Sequence, residues 1–477
     1  MTSSLRPYAT VGIALVGAGL VAVTPLAPAV PAVQAHQIHL TAGGTDTSDG
    51  LVGLVVGGTS YPIPPASYVQ AADQLYIQRI LPGAQTHAVF TPEGASPIFS
   101  GVKSLPFDTS VAQGRTMVDA YITNEVNAGN TVAVYGVSQS ATIEGFVMKD
   151  LEAAGIPADA VKFVLLGDPS NPDGGLWSRL GGLTLPAMGM TFGDPTPEDS
   201  IYQTSIYSLE YDGFADFPKY TMNALSDLNA LLGMFLVHQA YRSLDPEQLD
   251  NAIAPPTSDG YDGVTSYYMI PWEGGLPLLA PLRAIPLIGT PLADLLQPAL
   301  TQIVNLGYDN SDNLGWDAGP ANVPTGLGVL PSSEQLMTAL GNMGPAVQQG
   351  FDAFLADLSH LSFTGEPLFG AGGLGVGGMA PPAYPLDSFT DVINALTGAS
   401  AQLYANLLPA ADIALSLAVT LPTFDANLFL NNLDNPLDAI GLPLAASTAL
   451  GLLGPGIEIA SILETISAIS HEFAGAA

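Results

Sequence analysis

The chain has 477 residues, of which 48% are apolar and only 11% charged, a composition typical of a globular protein with a large core and not of a disordered chain or coiled coil. Its 43 acidic residues against 10 lysines and arginines give a net charge of −33, which repels phosphate backbones and argues against a nucleic-acid partner. The lack of cysteine in the sequence excludes disulfides, thiolate metal sites and a cysteine nucleophile.

The N-terminus has the pattern of a secretory signal. One cation, Arg6, precedes an apolar stretch at 11–23, and a Pro/Ala-rich segment follows it. That stretch is short for a membrane span, which needs about 20 residues, and has the length of a signal-peptide core. The small residues Val33 and Ala35 predict cleavage before His36. We therefore expect residues 1–35 to be a signal peptide, with a retained signal anchor or a buried core helix as alternatives, and the protein to be secreted or associated with the cell envelope.

From Leu51 the sequence alternates between apolar runs and amphipathic segments. The predicted strands are the runs at 51–56, 86–90, 131–136, 161–167 and 201–211. The predicted helices are a segment capped by Thr109-Ser110 that ends near Gly129, and a segment at 141–154 closed by Gly155 and Pro157. This β-α-β rhythm predicts an α/β fold, a parallel sheet flanked by helices, over residues 48–310.

The second half of the chain changes character. Prolines every few residues after Pro271 predict short helices that cover one side of a site, followed by a loop at 311–332, an amphipathic helix at 333–360 and a Gly/Pro-rich linker at 365–385, so that 311–385 joins the two parts. Residues 386–477 predict a mostly helical extension of apolar helices separated by Pro and Gly. From composition alone, the segment after 271 and these helices are expected to form a lid or a lipid-facing wall.

The uncharged stretch 439–457 invites a membrane interpretation. Pro443, Gly451, Gly454, Pro455 and Gly456 interrupt it, and each is unfavourable inside a helix. We therefore favour helices packed on the main domain or on one another. Peripheral contact with a lipid surface is the next alternative, and a membrane span is the least favoured.

The string Gly136-Val137-Ser138-Gln139-Ser140 carries a potential nucleophile. In G-x-S-x-G motifs the serine lies on a tight turn between a strand and a helix, and small flanking residues let the backbone fold closely. The string is degenerate, since Ser140 replaces the last glycine. Its setting between a β-branched run and a helical segment nevertheless favours Ser138 as a nucleophile over an ordinary polar turn residue.

A serine nucleophile requires a general base, and in hydrolase sheets the chain order is Ser, acid, His. Three of the six histidines precede Ser138, and two lie in the C-terminal half. His238 is the histidine that remains inside the sheet domain after the serine. A histidine on an apolar helix is more often a core residue, but this elimination favours His238 as the base.

The orienting acid is expected after a strand between Ser138 and His238. Asp216 is flanked by apolar residues, so it is predicted to be partly buried and to need a partner such as an imidazole. Asp212 precedes a glycine and has the alternative interpretation of an Asx turn. We prefer Asp216, keep Asp212 as the alternative acid and rank Asp168 third.

Backbone N–H groups are predicted to form the oxyanion hole. The N–H of Gln139 lies at the start of a helix, whose partial positive charge favours an anion. Gly58 and Thr59, in the glycine-rich loop after the first strand, are further donors unless that loop is an ordinary turn. We expect no cofactor and no metal, since dinucleotide and phosphate-loop motifs are missing from the sequence and the pair His36 and His39 lies at the predicted mature terminus.

Several longer strings extend this pattern. They are "GGTSYPIPPASYV", "VAQG", "YGVSQSATIEG", "KFVLLGDPSNPDGG", "EYDGFADFPKYTMNALSDLNALLG", a histidine before "QAY", and "YYMIPWEGGLPLLAPLRAIP…GTPLADLLQPAL". Together they cover roughly residues 50–310 and resemble the PE-PPE domain family of mycobacterial serine esterases, which is related to cutinases. The resemblance implies an α/β-hydrolase fold and a triad of Ser138, Asp216 and His238. Family members read G-x-S-x-S or G-x-S-x-G, and they often have asparagine where this chain has Asp168.

The resemblance also implies the substrate class and two reactions. The helical PE or PPE module of the family is missing from this sequence and a signal-like segment stands in its place, as in members that are envelope acyltransferases acting on trehalose glycolipids. We expect a serine esterase or lipase that hydrolyses fatty acyl esters. The alternatives are an acyltransferase with a glycolipid acceptor and a non-catalytic surface protein.

Overall fold

A central parallel sheet organises the molecule, which a computed structural model describes at residues 50–96, 104–358 and 389–474. The strands are β1 Leu51–Val55, β2 Gln85–Ala88, β3 Thr131–Val137, β4 Val161–Leu166, β5 Thr184–Leu185, β6 Met190–Thr191, β7 Gln203–Leu209 and β8 Thr265–Ile270. Six of them pair in the order β2-β1-β3-β4-β7-β8, with every pairing parallel, and β5 and β6 form a separate hairpin. The predicted parallel sheet is confirmed.

Helices surround this sheet. They are α1 Ala66–Ala72, α2 Phe107–Asn127, α3 Gln139–Ala153, α4 Leu176–Arg179, α5 Ala224–Leu236, α6 Pro246–Asp250, α7 Ala280–Arg283, α8 Gly289–Val304, α9 Ser333–Asp357, α10 Phe389–Ala405, α11 Leu407–Leu415, α12 Leu421–Asn431 and α13 Pro436–Ala474. A π-helical turn at Asp73–Ile77 and the turn Gln78–Ile80 extend α1, and a second π-helical turn, Ser416–Thr420, joins α11 to α12. Short 3-10 turns occur at Pro186–Met188, Ala240–Ser243, Pro277–Leu279 and Asn305–Gly307.

Both faces of the sheet are buried. Val132 and Val134 of β3 point into a core shared with α2, α3 and α5, whereas Ala133 and Tyr135 point into a second core shared with α1 and the Ala240–Ser243 turn. Successive residues of a strand face opposite sides, so a strand covered on both sides must be apolar throughout. The continuous apolar runs in the sequence therefore reflect double coverage.

The segment after β8 forms a side layer. α8 and α9 pack closely, because a Cβ at Gly350 would come within 2.1 Å of the Leu295 carbonyl oxygen. The predicted loop at 311–332 contains neither helix nor strand. It is held by the buried guanidinium of Arg179, which contacts Asp317 at 2.6 Å.

The C-terminal helices pack against the sheet domain through α13 and α5. Ala445, Ala446 and Ala449 of α13 are fully buried, and the Thr221 hydroxyl donates to the Ala445 carbonyl oxygen at 2.7 Å. The favoured expectation, helices packed on the main domain, is confirmed for this part of α13. Two stretches, Ile393–Asn431 and Pro436–Leu463, are nevertheless long and apolar enough to cross a membrane by length and composition alone.

Strands β5, β6 and β8 were not predicted from the sequence, and two local predictions differ from the structure. Thr109 and Ser110 do not cap α2, which begins at Phe107 after Pro106, and the Ser110 hydroxyl instead donates to the Gln139 side chain at 3.0 Å. Pro443 and Pro455 do not separate helices, since both lie inside the 39-residue α13. The predictions for residues 1–35 and 365–385 and for His36 and His39 concern segments outside the described residues.

Candidate active site

The strand order places a crevice at the carboxyl end of the sheet. β1 and β3 are neighbours, but β2 follows on one side and β4 on the other, so the connections leave in opposite directions. In doubly wound sheets ligands bind at such a switch point. An open cleft with about 660 Å³ of empty space lies here, lined by Gly58 and Thr59 after β1, Ser138 after β3, and His238.

The backbone of Ser138 is strained. Its φ of 60° and ψ of −121° lie between the end of β3 and the first residue of α3, and its N–H donates to the Leu166 carbonyl oxygen at 3.0 Å. A positive φ costs an L residue of order 1–3 kcal/mol, and such strain collects at functional sites. Ser138 is partly exposed and lines the cleft, as a nucleophile elbow requires.

The residues around Ser138 are small because the turn is crowded. A Cβ at Gly136 would come within 2.4 Å of the buried Glu144 carboxyl group. The Ser140 hydroxyl accepts from the Val137 N–H at 2.8 Å and lies 3.0 Å from the Val137 carbonyl oxygen. Serine in the fifth position of the motif therefore stabilises the end of β3.

His238 contacts Asp212. The imidazole Nδ1 lies 2.9 and 2.8 Å from the two carboxylate oxygens of Asp212. Both residues are buried, at 5% and 0% exposure. The other ring nitrogen of His238, Nε2, has no hydrogen-bond partner among the described residues. With Nδ1 protonated and donating to Asp212, Nε2 is left as a proton acceptor in the cleft that Ser138 lines.

Two glycines bring the aspartate turn and the histidine helix together. A Cβ at Gly213 would come within 2.1 Å of the Ala230 carbonyl oxygen, and one at Gly233 within 1.8 Å of the Tyr211 carbonyl oxygen. Helix α5 therefore packs backbone to backbone on the turn that carries Asp212. The His238 N–H donates to the Gly233 carbonyl oxygen at 3.0 Å, which anchors the histidine to the same glycine.

The carboxyl groups of Asp216 and Asp168 accept hydrogen bonds from donors other than His238. The Asp216 carboxyl group accepts from the Tyr211 N–H at 2.9 Å, and burial raises its pKa well above the usual range. The Asp168 carboxyl group accepts from the Thr196 hydroxyl at 2.6 Å and the Ser170 N–H at 2.9 Å. Burial raises the pKa of Asp168 to about 6. Of the three aspartates considered from the sequence, the structure brings Asp212 to the His238 side chain.

The two segments expected to supply oxyanion donors lie side by side. A Cβ at Gly58 would be 3.1 Å from the Val137 carbonyl oxygen and 3.5 Å from the Ser138 Cβ, so the loop after β1 passes close to the serine. Gln139 opens α3, and the first N–H groups of a helix lack intrahelical partners. Its side chain is tied down, donating to the Gly94 carbonyl oxygen at 2.8 Å.

Two buried carboxyl groups lie near the loop after β1 and the turn that carries Ser138. The Glu93 carbonyl oxygen accepts from the Ser60 N–H at 2.8 Å, and the Glu93 side chain is 1% exposed. Burial raises the pKa of Glu93 to about 8 and that of Glu144 well above the usual range. Glu93 is therefore largely neutral at pH 7, which limits the negative charge beside the loop that carries Gly58 and Thr59.

Three further residues lie against the His238–Asp212 pair, and none of them was predicted from the sequence. Tyr241 donates its hydroxyl to Asp212 at 2.7 Å, and the Phe214 ring lies 4.7 Å from the His238 ring between centroids. At Gly167, which follows β4 with φ of 53°, a Cβ would come within 2.9 Å of the His238 ring. The spacing of Tyr241, three residues after His238, is the sequence signal that could have identified it.

A cation also faces the cleft. The Arg242 guanidinium carbon lies 4.2 Å from the centroid of the Tyr68 ring and 5.4 Å from that of Tyr61. Cation–π contacts of this kind hold the side chain in one position. Arg242 therefore gives the mouth of the cleft a local positive charge in a strongly acidic protein.

The site combines a serine on a strand–helix turn with a histidine–carboxylate pair, in one cleft at the carboxyl end of a parallel sheet. This is the arrangement of the α/β-hydrolase class. Residues 82–309 match the PE-PPE domain, and the chain belongs to that family, as the sequence predicted.

Relatives in Mycobacterium tuberculosis extend this match. The chain is 39% identical over 445 residues to the PPE family protein PPE28, and the alignment covers 88% of this chain and 66% of PPE28. It is 42% identical over 290 residues to Esterase PE16, covering 60% of this chain and 52% of PE16. The chain thus spans about half to two thirds of the length of these two relatives. It is 26% identical over 302 residues to the Diacyltrehalose acyltransferase Chp2, covering 60% of this chain and 81% of Chp2.

Among solved structures, a cutinase-like protein from Cryptococcus sp. aligns with a TM-score of 0.26 and 19% sequence identity, covering 36% of this chain and 82% of that protein.

Proposed function

We propose that this protein is a serine ester hydrolase that acts on fatty acyl esters, with Ser138 as the nucleophile, His238 as the general base and Asp212 as the orienting acid. The observation that carries the proposal is the His238–Asp212 contact at 2.8 Å in the cleft that Ser138 lines. The name of the relative PE16, an esterase, supports the reaction class.

Acylation would begin at the Ser138 hydroxyl. As its oxygen attacks the ester carbonyl carbon, the proton moves to His238 Nε2, and the Asp212 carboxylate stabilises the imidazolium that forms. The negative charge on the carbonyl oxygen would be met by the backbone N–H groups of Gln139 and of Gly58 or Thr59. Collapse of the tetrahedral intermediate expels the alcohol, which takes the proton from His238, and leaves an acyl-enzyme.

Deacylation would use the same residues. His238 Nε2 takes a proton from water as the water oxygen attacks the acyl-enzyme, and the proton returns to the Ser138 oxygen as the carboxylic acid leaves. Tyr241 would hold the Asp212 carboxylate in place during both steps, since its hydroxyl donates to the same group.

The test is labelling with a fluorophosphonate probe, followed by peptide mapping, together with turnover of p-nitrophenyl butyrate. We expect the label on Ser138, and we expect Ser138→Ala to lose labelling and at least 10³-fold in kcat. The control is Ser333→Ala, the same change at an exposed position at the start of α9. Unchanged turnover in Ser138→Ala would overturn the assignment.

Acyl transfer is the second candidate, and the names of the acyltransferase relatives Chp2 and Chp1 favour it. The acyl-enzyme would be the same, but a sugar hydroxyl of a glycolipid would take the place of water. The polar side chains of Gln239 and Arg242 in the lining of the open cleft would hydrogen-bond to hydroxyl groups of such an acceptor. Product analysis with a trehalose glycolipid added to the ester would distinguish the reactions, because transfer produces an acylated acceptor in competition with free acid.

We also propose that the protein is exported and works in or near the cell envelope. The names of the acyltransferase relatives and the apolar stretches of the C-terminal helices support a lipid environment. Exposed large apolar side chains such as Leu407, Leu430 and Ile440 would suit peripheral contact with lipid.

A further inference from the structure

A second cavity adjoins the catalytic cleft. It has about 670 Å³ of empty space, part of it open to solvent, and lies between the sheet domain and the C-terminal helices. One wall comes from α4, the β5–β6 hairpin, Phe214 in the turn before α5 and Met234 of α5. The other wall comes from α11, α12, the π-helical turn between them and α13. Segments far apart in the sequence therefore enclose a single space.

The lining is suited to hydrocarbon. Its side chains are aliphatic, aromatic or methionine, except for the Ser416 hydroxyl, and its other polar side-chain atom is the indole Nε1 of Trp177. Neither polar atom has a hydrogen-bond partner among the described residues. A buried water needs two to four polar partners, so such a cavity favours an apolar occupant over water. Met188, Met190 and Met234 add flexible side chains that adapt to a chain of variable shape.

The cavity and the catalytic cleft share two lining side chains. Phe214 and Met234 line both spaces. The Phe214 ring also lies 4.7 Å from the His238 ring between centroids, so this boundary is at the histidine itself. A chain attached to a carbonyl at Ser138 would pass these two residues to enter the cavity.

We propose that this cavity holds the acyl chain of the ester bound at Ser138, and that the C-terminal helices thereby form one wall of the acyl-binding site. The inference rests on the proposed function and adds a substrate class, esters with a long unbranched acyl chain. Each methylene that enters the cavity would raise kcat/KM by up to roughly fourfold.

Two glycines on α13 provide a matched pair of variants. A Cβ at Gly454 would lie 3.1 Å from Ile413 and 3.4 Å from Leu417, inside the cavity wall, whereas one at Gly451 would meet nothing within 4 Å and Gly451 is exposed. Gly454→Leu therefore fills the cavity, and Gly451→Leu makes the same change on the outside of the same helix. Ser416→Leu fills the cavity from a different element and serves if Gly454→Leu does not fold.

The experiment compares p-nitrophenyl dodecanoate with p-nitrophenyl butyrate, and measures binding of dansyl-undecanoic acid to the same proteins. We expect Gly454→Leu and Ser416→Leu to lower the dodecanoate-to-butyrate ratio of kcat/KM at least tenfold, with butyrate turnover within about twofold of the parent, and to weaken dansyl-undecanoic acid binding at least tenfold. Gly451→Leu should match the parent in both measurements.

The outcomes separate this inference from the proposed function. A parent protein that turns over both esters with a ratio unaltered by either filling variant would overturn the acyl cavity and keep the esterase. A parent protein that turns over neither ester, but binds dansyl-undecanoic acid in a way that Gly454→Leu weakens, would overturn the esterase and keep a hydrocarbon site.

Discussion

Asp212 and Asp216 lie four residues apart, are both buried, and differ in what they contact. Asp212 accepts from the Tyr241 hydroxyl and the Phe214 N–H while it contacts His238, so the surrounding donors stabilise its charge. Asp216 accepts from one backbone N–H, and burial raises its pKa well above the usual range. The direct contact with the imidazole and these additional donors favour Asp212 as the acid.

Replacing each aspartate with asparagine tests that assignment. Asp212→Asn should lower kcat by about 10³ to 10⁴-fold, because a neutral amide neither stabilises the imidazolium nor enforces its tautomer. Asp216→Asn should change turnover little, since the amide oxygen can still accept from the Tyr211 N–H. Turnover of p-nitrophenyl butyrate measures both. Equal losses in the two variants would contradict the choice of Asp212.

Gly58 is the residue through which the loop after β1 approaches Ser138. Gly58→Ala should reduce kcat about tenfold or more, because the added methyl group would push the loop N–H groups away from the oxyanion position. KM should change less than kcat if the loss is specific to the transition state. The control is Gly341→Ala, at a position of α9 where a Cβ meets nothing within 4 Å. Unaltered kcat in Gly58→Ala would argue against this loop as a donor.

At the scale of elements, helix α5 determines where His238 lies. The helix packs directly on the backbone of the turn that carries Asp212. His238 is the second residue after Leu236, the last residue of the helix. An amphipathic pattern indicates the buried face of such a helix but not its distance from the turn. The two glycines, Gly213 and Gly233, set that distance.

Gly233→Ala should therefore affect both stability and activity. The methyl group would meet the Tyr211 carbonyl oxygen, so α5 must shift, and we expect a loss of about 1–3 kcal/mol in the free energy of unfolding. The shift would also move His238 relative to Asp212 and lower kcat. Urea unfolding followed by kinetics on the folded protein measures the two effects. Gly344→Ala, in an uncrowded position of α9, is the control. Equal stability and equal kcat in the two variants would contradict the close packing of α5 on the turn that carries Asp212.

Helix α13 shows how tertiary packing overrides a local signal. Its prolines and glycines were expected to divide it, yet Pro443 and Pro455 lie inside one helix of 39 residues. Proline in a helix interior costs about 3 kcal/mol. Burial of small residues such as Ala445 and Ala449 against the sheet domain offsets part of this cost.

At the scale of the whole molecule, buried carboxyl groups link stability to pH. Burial raises the pKa of Glu93 and of Asp227 to about 8, from ordinary values of 4.5 and 3.8. Above about pH 4 the unfolded chain loses these protons while the folded chain keeps them, so the stability they contribute is complete below that pH and is lost as the pH rises towards 8. The net charge of −33 acts in the same direction, because repulsion grows as carboxyl groups ionise.

The melting temperature should therefore fall between pH 5 and pH 8. Glu93→Gln should reduce that fall, because the amide does not titrate and its oxygen can still accept from the Thr91 hydroxyl. Scanning calorimetry at several pH values provides the comparison, with Glu152→Gln, at an exposed position, as the control. A pH dependence in Glu93→Gln equal to that of the parent would contradict this account.

The sequence by itself determined the parallel sheet, the turn that carries Ser138 and the choice of His238 over the other histidines. These follow from neighbouring residues: a β-branched run, small residues around the serine, a helical segment, and a chain order that leaves one eligible histidine. The family was also recognisable there, since its strings are contiguous and extend from about residue 50 to 310.

Only the tertiary structure decided which aspartate contacts His238, and that the C-terminal helices enclose an apolar cavity beside the site. Two aspartates in one turn differ in the direction of their side chains, and that direction depends on the close packing of Gly213 and Gly233 across two elements. The cavity is lined by residues such as Trp177 and Leu453, which lie far apart in the sequence, so their proximity leaves no periodic signal in either segment. Local patterns report which face of an element is buried, whereas the partner of that face is chosen by packing over the whole chain.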